Sequence, residues 1–166
     1  MPARLRYERV DLEQIDAFHS LVQDEYVRRY LMDGQVFPRE WIEQQIHDSQ
    51  DLFKQRGVGI WLTYEEGTNQ LVGFCGFVKF PPLHSDPQLV YAVFERFSRR
   101  GYATEMAVES ISRARAQGFT EIIAGVDEVN AASLRILEKL GFKRISTYQG
   151  AFGNAYLLRL RDFPTS

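Results

Sequence analysis

Hydrophobic and polar residues change their period several times along the chain, and each change marks an element. Arg4–Val10 alternates, with Leu5 and Tyr7 on one side, and predicts a first strand. After Asp11 the spacing becomes helical: Leu12, Ile15, Phe18 and Val22 mark one face, and Asp11 with Gln14 has the pattern of a capping box. Glu25–Phe37 is polar, aromatic and without period, broken at Gly34. Pro38 suits a first helical turn, and Ile42, Ile46 and Phe53 then recur at helical spacing up to Gly57. Val58–Tyr64 and Gln70–Phe80 are β-branched and aromatic, and Glu65–Asn69 with Gly67 joins them as a hairpin. Pro81-Pro82 ends the second strand, Leu83–Pro87 reads as a loop carrying His84 and Asp86, and Gln88–Phe94 reads as a third strand.

The second half is more regular. Ala103–Gln117 is an amphipathic helix with Ala103, Met106, Ala107, Ile111 and Ala114 on one stripe and Gly118 as its stop. Glu121–Val126 is apolar on both faces, as a buried parallel strand requires. Strand, helix and strand over this length predict a right-handed βαβ crossover. Asn130–Leu140 is a further helix with Leu134, Leu137 and Leu140 inward, stopped at Gly141-Phe142. Lys143–Tyr148 and Ala155–Leu160 close the chain around a turn at Gly150–Asn154. The pattern is that of one mixed α/β domain over residues 1–166, with about four helices.

Composition narrows the function classes. The 166 residues carry a net charge of -2, which argues against a dedicated nucleic-acid binder. The single cysteine, Cys75, forms no intrachain disulfide and reads as a buried small hydrophobe. His19 and His47 read as structural or solvated, so no metal is expected. No apolar run approaches a membrane span and the first residues lack a signal core, so the expectation is a cytoplasmic monomer or homodimer with no membrane partner.

One stretch carries chemistry: Ser98-Arg99-Arg100-Gly101-Tyr102-Ala103-Thr104-Glu105, between a strand and a helix. The first turn of a helix has unpartnered N–H groups and partial positive charge, Gly101 permits close backbone approach, and Arg99 and Arg100 add fixed charge. A phosphate cradle and an ordinary turn with solvated arginines both fit these eight residues.

Ser98–Ala103 is similar to the coenzyme signature Gln/Arg-x-x-Gly-x-Gly/Ala of the GNAT superfamily of acyl-CoA N-acyltransferases. Gly101–Glu105 and, downstream, Asn130-x-x-Ser133 with Leu137–Phe142 resemble its RimJ/RimL-like branch, and the order of elements agrees from Arg4 to Leu160. The resemblance implies a central, mostly antiparallel sheet with one splayed parallel strand pair. It implies acetyl-CoA as cosubstrate and an amine as acceptor. Tyr91, Ala92 and Val93 would offer backbone groups to pantetheine, and the amides of Arg99–Thr104 would hold the pyrophosphate, with one bond from the Thr104 hydroxyl. Asn130 would face pantetheine, cap the helix, or both, and Lys139 would reach the adenosine phosphate or stay solvated.

Three positions depart from the family pattern. Ser98 replaces glutamine or arginine, Leu137 replaces the tyrosine that protonates the thiolate, and Gln88 replaces a glutamate base. The catalytic candidates that remain are Val93 as oxyanion donor through its N–H, Ser133 as thiolate donor, and Asp86 or His84 as base, with a water chain as the alternative. Ser133 bonded to its own helix is the competing account. The Glu25–Phe37 and Pro81–Pro87 segments are expected to line the acceptor site. A non-catalytic acyl-CoA sensor is the competing class, which the missing glutamate and tyrosine favour.

Overall fold

The computed structural model describes residues 4–30, 37–80, 84–150 and 153–161. Seven strands form one sheet: β1 (Leu5–Arg9), β2 (Ile60–Glu65), β3 (Leu71–Phe80), β4 (His84–Val93), β5 (Ile122–Asp127), β6 (Lys143–Gly150) and β7 (Gly153–Leu160), in the order β1-β2-β3-β4-β5-β7-β6. Every neighbouring pair is antiparallel except β4 and β5. The helices are α1 (Ile15–Gln23), α2 (Glu25–Tyr30), α3 (Arg39–Arg56), α4 (Tyr102–Ala116) and α5 (Ala131–Lys139). None of these is long and apolar enough to cross a membrane.

The alternation of β3 explains the layering. Phe74 meets Phe18 of α1 edge-on at 5.3 Å, whereas Cys75 turns the other way, toward Ser110 of α4. Successive side chains of a strand point to opposite faces, so β3 is covered by helices on both sides and is apolar from Leu71 to Val78. Burial pushes the Cys75 thiol up to about 11, which suits the inert role expected of it. Helix α5 ends in a Schellman motif: Gly141 N–H donates to Glu138 O at 3.1 Å and Phe142 N–H to Leu137 O at 3.0 Å, with the Phe142 ring buried.

The observed elements differ from the sequence pattern in four places. Residues 25–30 form α2 rather than an irregular stretch; Asp24 Oδ1 accepts from Val27 N–H at 3.2 Å, and Val27 is buried beneath it. Leu12 lies in a 3-10 turn and is exposed, while Leu21 takes its place in the core. The capping box is half made, since Asp11 accepts from Glu13 N–H but Gln14 Oε1 is buried without a partner. Strand β4 starts at His84, so Asp86 stands on a strand and not in a loop. The β3–β4 register slips between Val78 and Phe80, and Pro87, which has no N–H to give a ladder, falls in that bulge. Residues 31–36, 81–83 and 151–152, which hold parts of the expected acceptor segments and of the last turn, lie outside the described residues.

Gly76 marks a tight approach in the sheet. Its φ is +132°, and a Cβ there would lie 1.9 Å from Gly59 O, the carbonyl that accepts from Phe77 N–H at 2.9 Å. Gly76→Ala is therefore expected to cost about 2 kcal/mol or more in denaturant unfolding. Gly67→Ala, in a hairpin turn with open space around it, is the control and should lose about 1 kcal/mol.

Candidate active site

Strand β4 is tied to β3 from Gln88 to Val93, and β5 is tied to β7 along its whole length. Between β4 and β5 the described pairing is a single bridge, Gln88 with Ile123. Beyond it the two strands part, and a cavity of about 560 Å³ enters between Leu89–Val93 and Ala124–Asp127. Phe94 N–H donates to Val72 O at 2.9 Å, toward β3. Backbone donors alternate along a strand, so the N–H of Val93, and two residues earlier that of Tyr91, face the parted side.

Below the opening the chain turns into α4. Arg99 (φ 64°) and Gly101 (φ 81°) are both left-handed, and this double reversal puts Tyr102 at the first helical position. No side chain caps α4. Glu105 N–H makes the first helical bond, to Gly101 O at 3.1 Å, which leaves the N–H groups of Tyr102, Ala103 and Thr104 ahead of the ladder. The turn is held from beneath by Glu65 at the end of β2. Tyr102 Oη donates to Glu65 Oε2 at 2.6 Å, Arg100 lies 3.9 Å from the same oxygen, and Thr68 Oγ1 donates to Oε1. The Tyr102 hydroxyl, foremost among these, holds the Glu65 carboxyl below its ordinary range. Arg4 adds a second strap, pairing with Glu105 and donating to Arg100 O at 3.1 Å.

The wall opposite β4 is the first turn of α5. Asn130 is its N-cap, accepting from Ser133 N–H at 3.2 Å. Ser133 Oγ lies 2.8 Å from Tyr91 Oη, and Tyr91 Oη also reaches Ser133 O at 3.4 Å. Loss of solvent on burial pushes the Tyr91 phenol up to about 12, against the smaller opposing effect of Ser133.

The structure brings Tyr91, Ala92, Val93, Ala103, Asn130 and Ser133 together on one cavity. Thr104, Arg99 and Arg100 are exposed at the cradle, and Ser98 is turned away, its hydroxyl donating to Glu95 O at 2.6 Å. Lys139 is exposed at the far end of α5, and Asp86 stands outside the cavity lining. The described carboxylates of that lining are Asp48 and Asp127. Leu137 and Gln88 line the cavity and are buried. Sequence reasoning missed two features: the Tyr91 hydroxyl, reduced there to a backbone position, and Glu65 under the cradle. Of the expected acceptor segments, Tyr26, Val27 and Phe37 do line the cavity, joined by Trp41, on whose ring Phe37 stacks at 4.2 Å.

Three comparisons bear on this geometry. A family model, described as an acetyltransferase (GNAT) domain, matches residues 4–143. The uncharacterized N-acetyltransferase YoaA of Bacillus subtilis (strain 168) is 30% identical over 138 residues, covering 81% of this chain and 75% of that protein. A GnaT-family acetyltransferase candidate from Bordetella pertussis superposes with a TM-score of 0.81 at 18% identity, covering 96% of each chain. RimL, a ribosomal L7/L12 alpha-N-protein acetyltransferase solved with coenzyme A, superposes with a TM-score of 0.78 at 17% identity, covering 96% of this chain and 95% of its own. The two structural likenesses are likenesses of fold.

The Glu65 contacts carry a pH dependence of known sign. Its carboxyl is lowered in the fold, so the stability it contributes is present above the ordinary value of about 4.3 and is lost as pH falls through the lowered one. Denaturant unfolding of wild type and Glu65→Gln should therefore show a gap at pH 7 that narrows at pH values below about 4.

Proposed function

The chain belongs to the GNAT acetyltransferase domain family, and on that premise we propose that it moves an acetyl group from acetyl-CoA to a primary amine by direct attack within a ternary complex. The observation that carries this reading is the continuity of the cavity. One space runs from the parted strands and the α5 cap to the aromatic wall of Tyr26, Phe37 and Trp41, so that coenzyme and acceptor can meet inside it. The RimJ/RimL-like signatures from Gly101 to Phe142 favour that branch, and with it a protein N-terminus or a small-molecule amine as acceptor.

The residues at hand fit the coenzyme. The N–H groups opening α4, with Arg99 and Arg100 beside them, would take the pyrophosphate. Backbone groups of Tyr91–Val93 on the parted side of β4 would pair with pantetheine as a strand would, and Asn130 caps α5 at its other flank. Acetyl-CoA supplies the activated acyl group. The chain's part is to orient it, to offer the Val93 N–H where negative charge develops on the carbonyl oxygen, and to offer the Ser133 hydroxyl to the leaving sulfur. Asp48 and Asp127, with Lys79, are the described charged side chains of the cavity; the two carboxylates suit drawing in an ammonium, and the aromatic wall suits an amine with an apolar body. With Asp86 outside the lining, the amine proton leaves through these carboxylates or through water.

Saturating acetyl-CoA, at about a hundred times its dissociation constant, should stabilise the protein by roughly 2.7 kcal/mol. Gly101→Val should stay folded and lose that shift, because a β-branched residue does not hold φ of 81° and the turn would close on its amides. No thermal shift of the wild type at millimolar acetyl-CoA overturns the coenzyme reading. Thiol release over an amine panel separates an enzyme from a sensor, which would bind acetyl-CoA and release nothing. For the best acceptor, Trp41→Ala should raise KM for the amine about tenfold or more while leaving acetyl-CoA affinity unchanged.

A further inference from the structure

We propose that Tyr91 is a positioning residue for the leaving group: its hydroxyl, reaching from β4 to α5, holds Ser133 so that the serine proton is directed at the departing sulfur. The proposal rests on the acetyl-transfer reading above. It starts from an unusual choice of partner. A serine inside a helix commonly turns its hydroxyl back to a carbonyl three or four residues earlier. Ser133 sits in the first turn of α5, and its Oγ instead meets Tyr91 Oη at 2.8 Å, across the space where β4 and β5 have parted.

Counting protons narrows the pair to two arrangements, the phenol giving its proton to Ser133 Oγ or to Ser133 O. A serine hydroxyl has one proton and two acceptor positions, and a phenol has one proton. If Tyr91 donates to Ser133 Oγ, the serine proton is free to point into the cavity that both residues line. Distance favours that order, since Tyr91 Oη lies 2.8 Å from Ser133 Oγ and 3.4 Å from Ser133 O, and burial keeps the phenol protonated so that it has a proton to give. The fold supplies a second reason for the sulfur to lie here. Ser133 is at the positive end of the α5 dipole, and its own N–H is already taken by Asn130, which fixes the turn on which the hydroxyl stands. Leu137, one turn further along α5 on the same cavity, is buried and apolar and has no proton to offer.

The step balances without a further reagent. The amine nitrogen forms a bond to the acetyl carbon, the carbon–sulfur bond breaks, and its electron pair stays on sulfur. Ser133 O–H donates a hydrogen bond to that thiolate as the charge appears. The proton that finally neutralises the sulfur equals the one the nitrogen gives up in becoming an amide. Tyr91 and Ser133 end the cycle as they began it.

The test needs no acceptor. A hydroxyl aimed at the sulfur should stabilise the thiolate of bound coenzyme A, and thiolate absorbs in the ultraviolet where the thiol does not. The thiol of coenzyme A bound to wild type should therefore titrate at lower pH than when bound to Tyr91→Phe or to Ser133→Ala. The expected difference is about tenfold in acidity. The double variant should match the singles, because the two hydroxyls act as one unit, and Ser133→Thr should retain the wild-type value. Tyr148, a phenol elsewhere on the same cavity, is unaltered in these variants. The other titratable side chains of the lining, Tyr26, Asp48, Lys79 and Asp127, are unaltered in all the variants and cancel in the comparison. Circular dichroism and coenzyme A affinity report whether each variant is folded and loaded. A bound thiol that titrates alike in wild type and Tyr91→Phe overturns the proposal, and so do additive effects of the two substitutions. Failure of the wild type to bind coenzyme A at all would instead strike the acetyl-transfer reading itself.

Discussion

A β-strand has two edges of backbone donors and acceptors, and β4 has ladder partners along one of them. On the β3 side it is paired from Gln88 to Val93; on the β5 side the described ladder is Gln88 with Ile123. Buried backbone groups without partners are costly, so an edge released inside a domain needs something else to bond. Here the released groups open onto a cavity. The rest of the molecule keeps that opening in place. β7 holds β5 along its length, α4 and α5 start on either side of the gap, and the bulge at Val78–Phe80 bends the strand that faces it.

The cradle and the sheet are joined through a carboxylate. Glu65 belongs to the end of β2, yet its two oxygens receive Tyr102 Oη and Thr68 Oγ1 while Arg100 stands near. One side chain thus orients the first residue of α4 and draws an arginine to the turn, leaving the helix's own leading N–H groups uncapped. With Arg4 paired to Glu105 on the other flank, the turn is anchored by side chains and free along its backbone. Such a division suits the phosphate-binding role proposed above for this turn, in which N–H groups would meet the phosphate oxygens.

The two ends of the cavity differ in chemistry. At the α5 end, polar atoms are few and specifically placed: the Asn130 cap and the Ser133–Tyr91 pair. At the other end stand a stacked Phe37 and Trp41 with Tyr26. Small-molecule sites commonly combine an apolar body with a few convergent polar groups, and here the two parts come from opposite faces of the sheet. Phe74, on the face of α1, and Cys75, on the face of α4, show how consecutive residues of one strand serve both.

Features set by neighbours in the chain were legible in the residue order. The periods of 2 and 3.6 located the strands and four of the five helices, Gly141-Phe142 announced the Schellman stop, and the spacing of Arg99, Gly101 and Asn130 marked where two helices begin. Each depends on torsions and bonds within a few residues. What required the fold were contacts between distant positions. Tyr91 and Ser133 are 42 residues apart, and Tyr102 and Glu65 are 37 apart. A period tells which side of a strand Tyr91 occupies, but not which helix covers that side. The start of β4 at His84 was hidden because a proline-rich stretch reads as a loop until a bulge gives Pro87 a position without a ladder bond. α2 was hidden because six residues are too few to show a helical period, and its formation rests on the Asp24 cap and on burying Val27 against the core. Local sequence determined most of the elements, α2 and the start of β4 apart; packing across the sheet decided which hydroxyls and carboxylates meet, because that choice is made by side chains that never come near one another until the chain is folded.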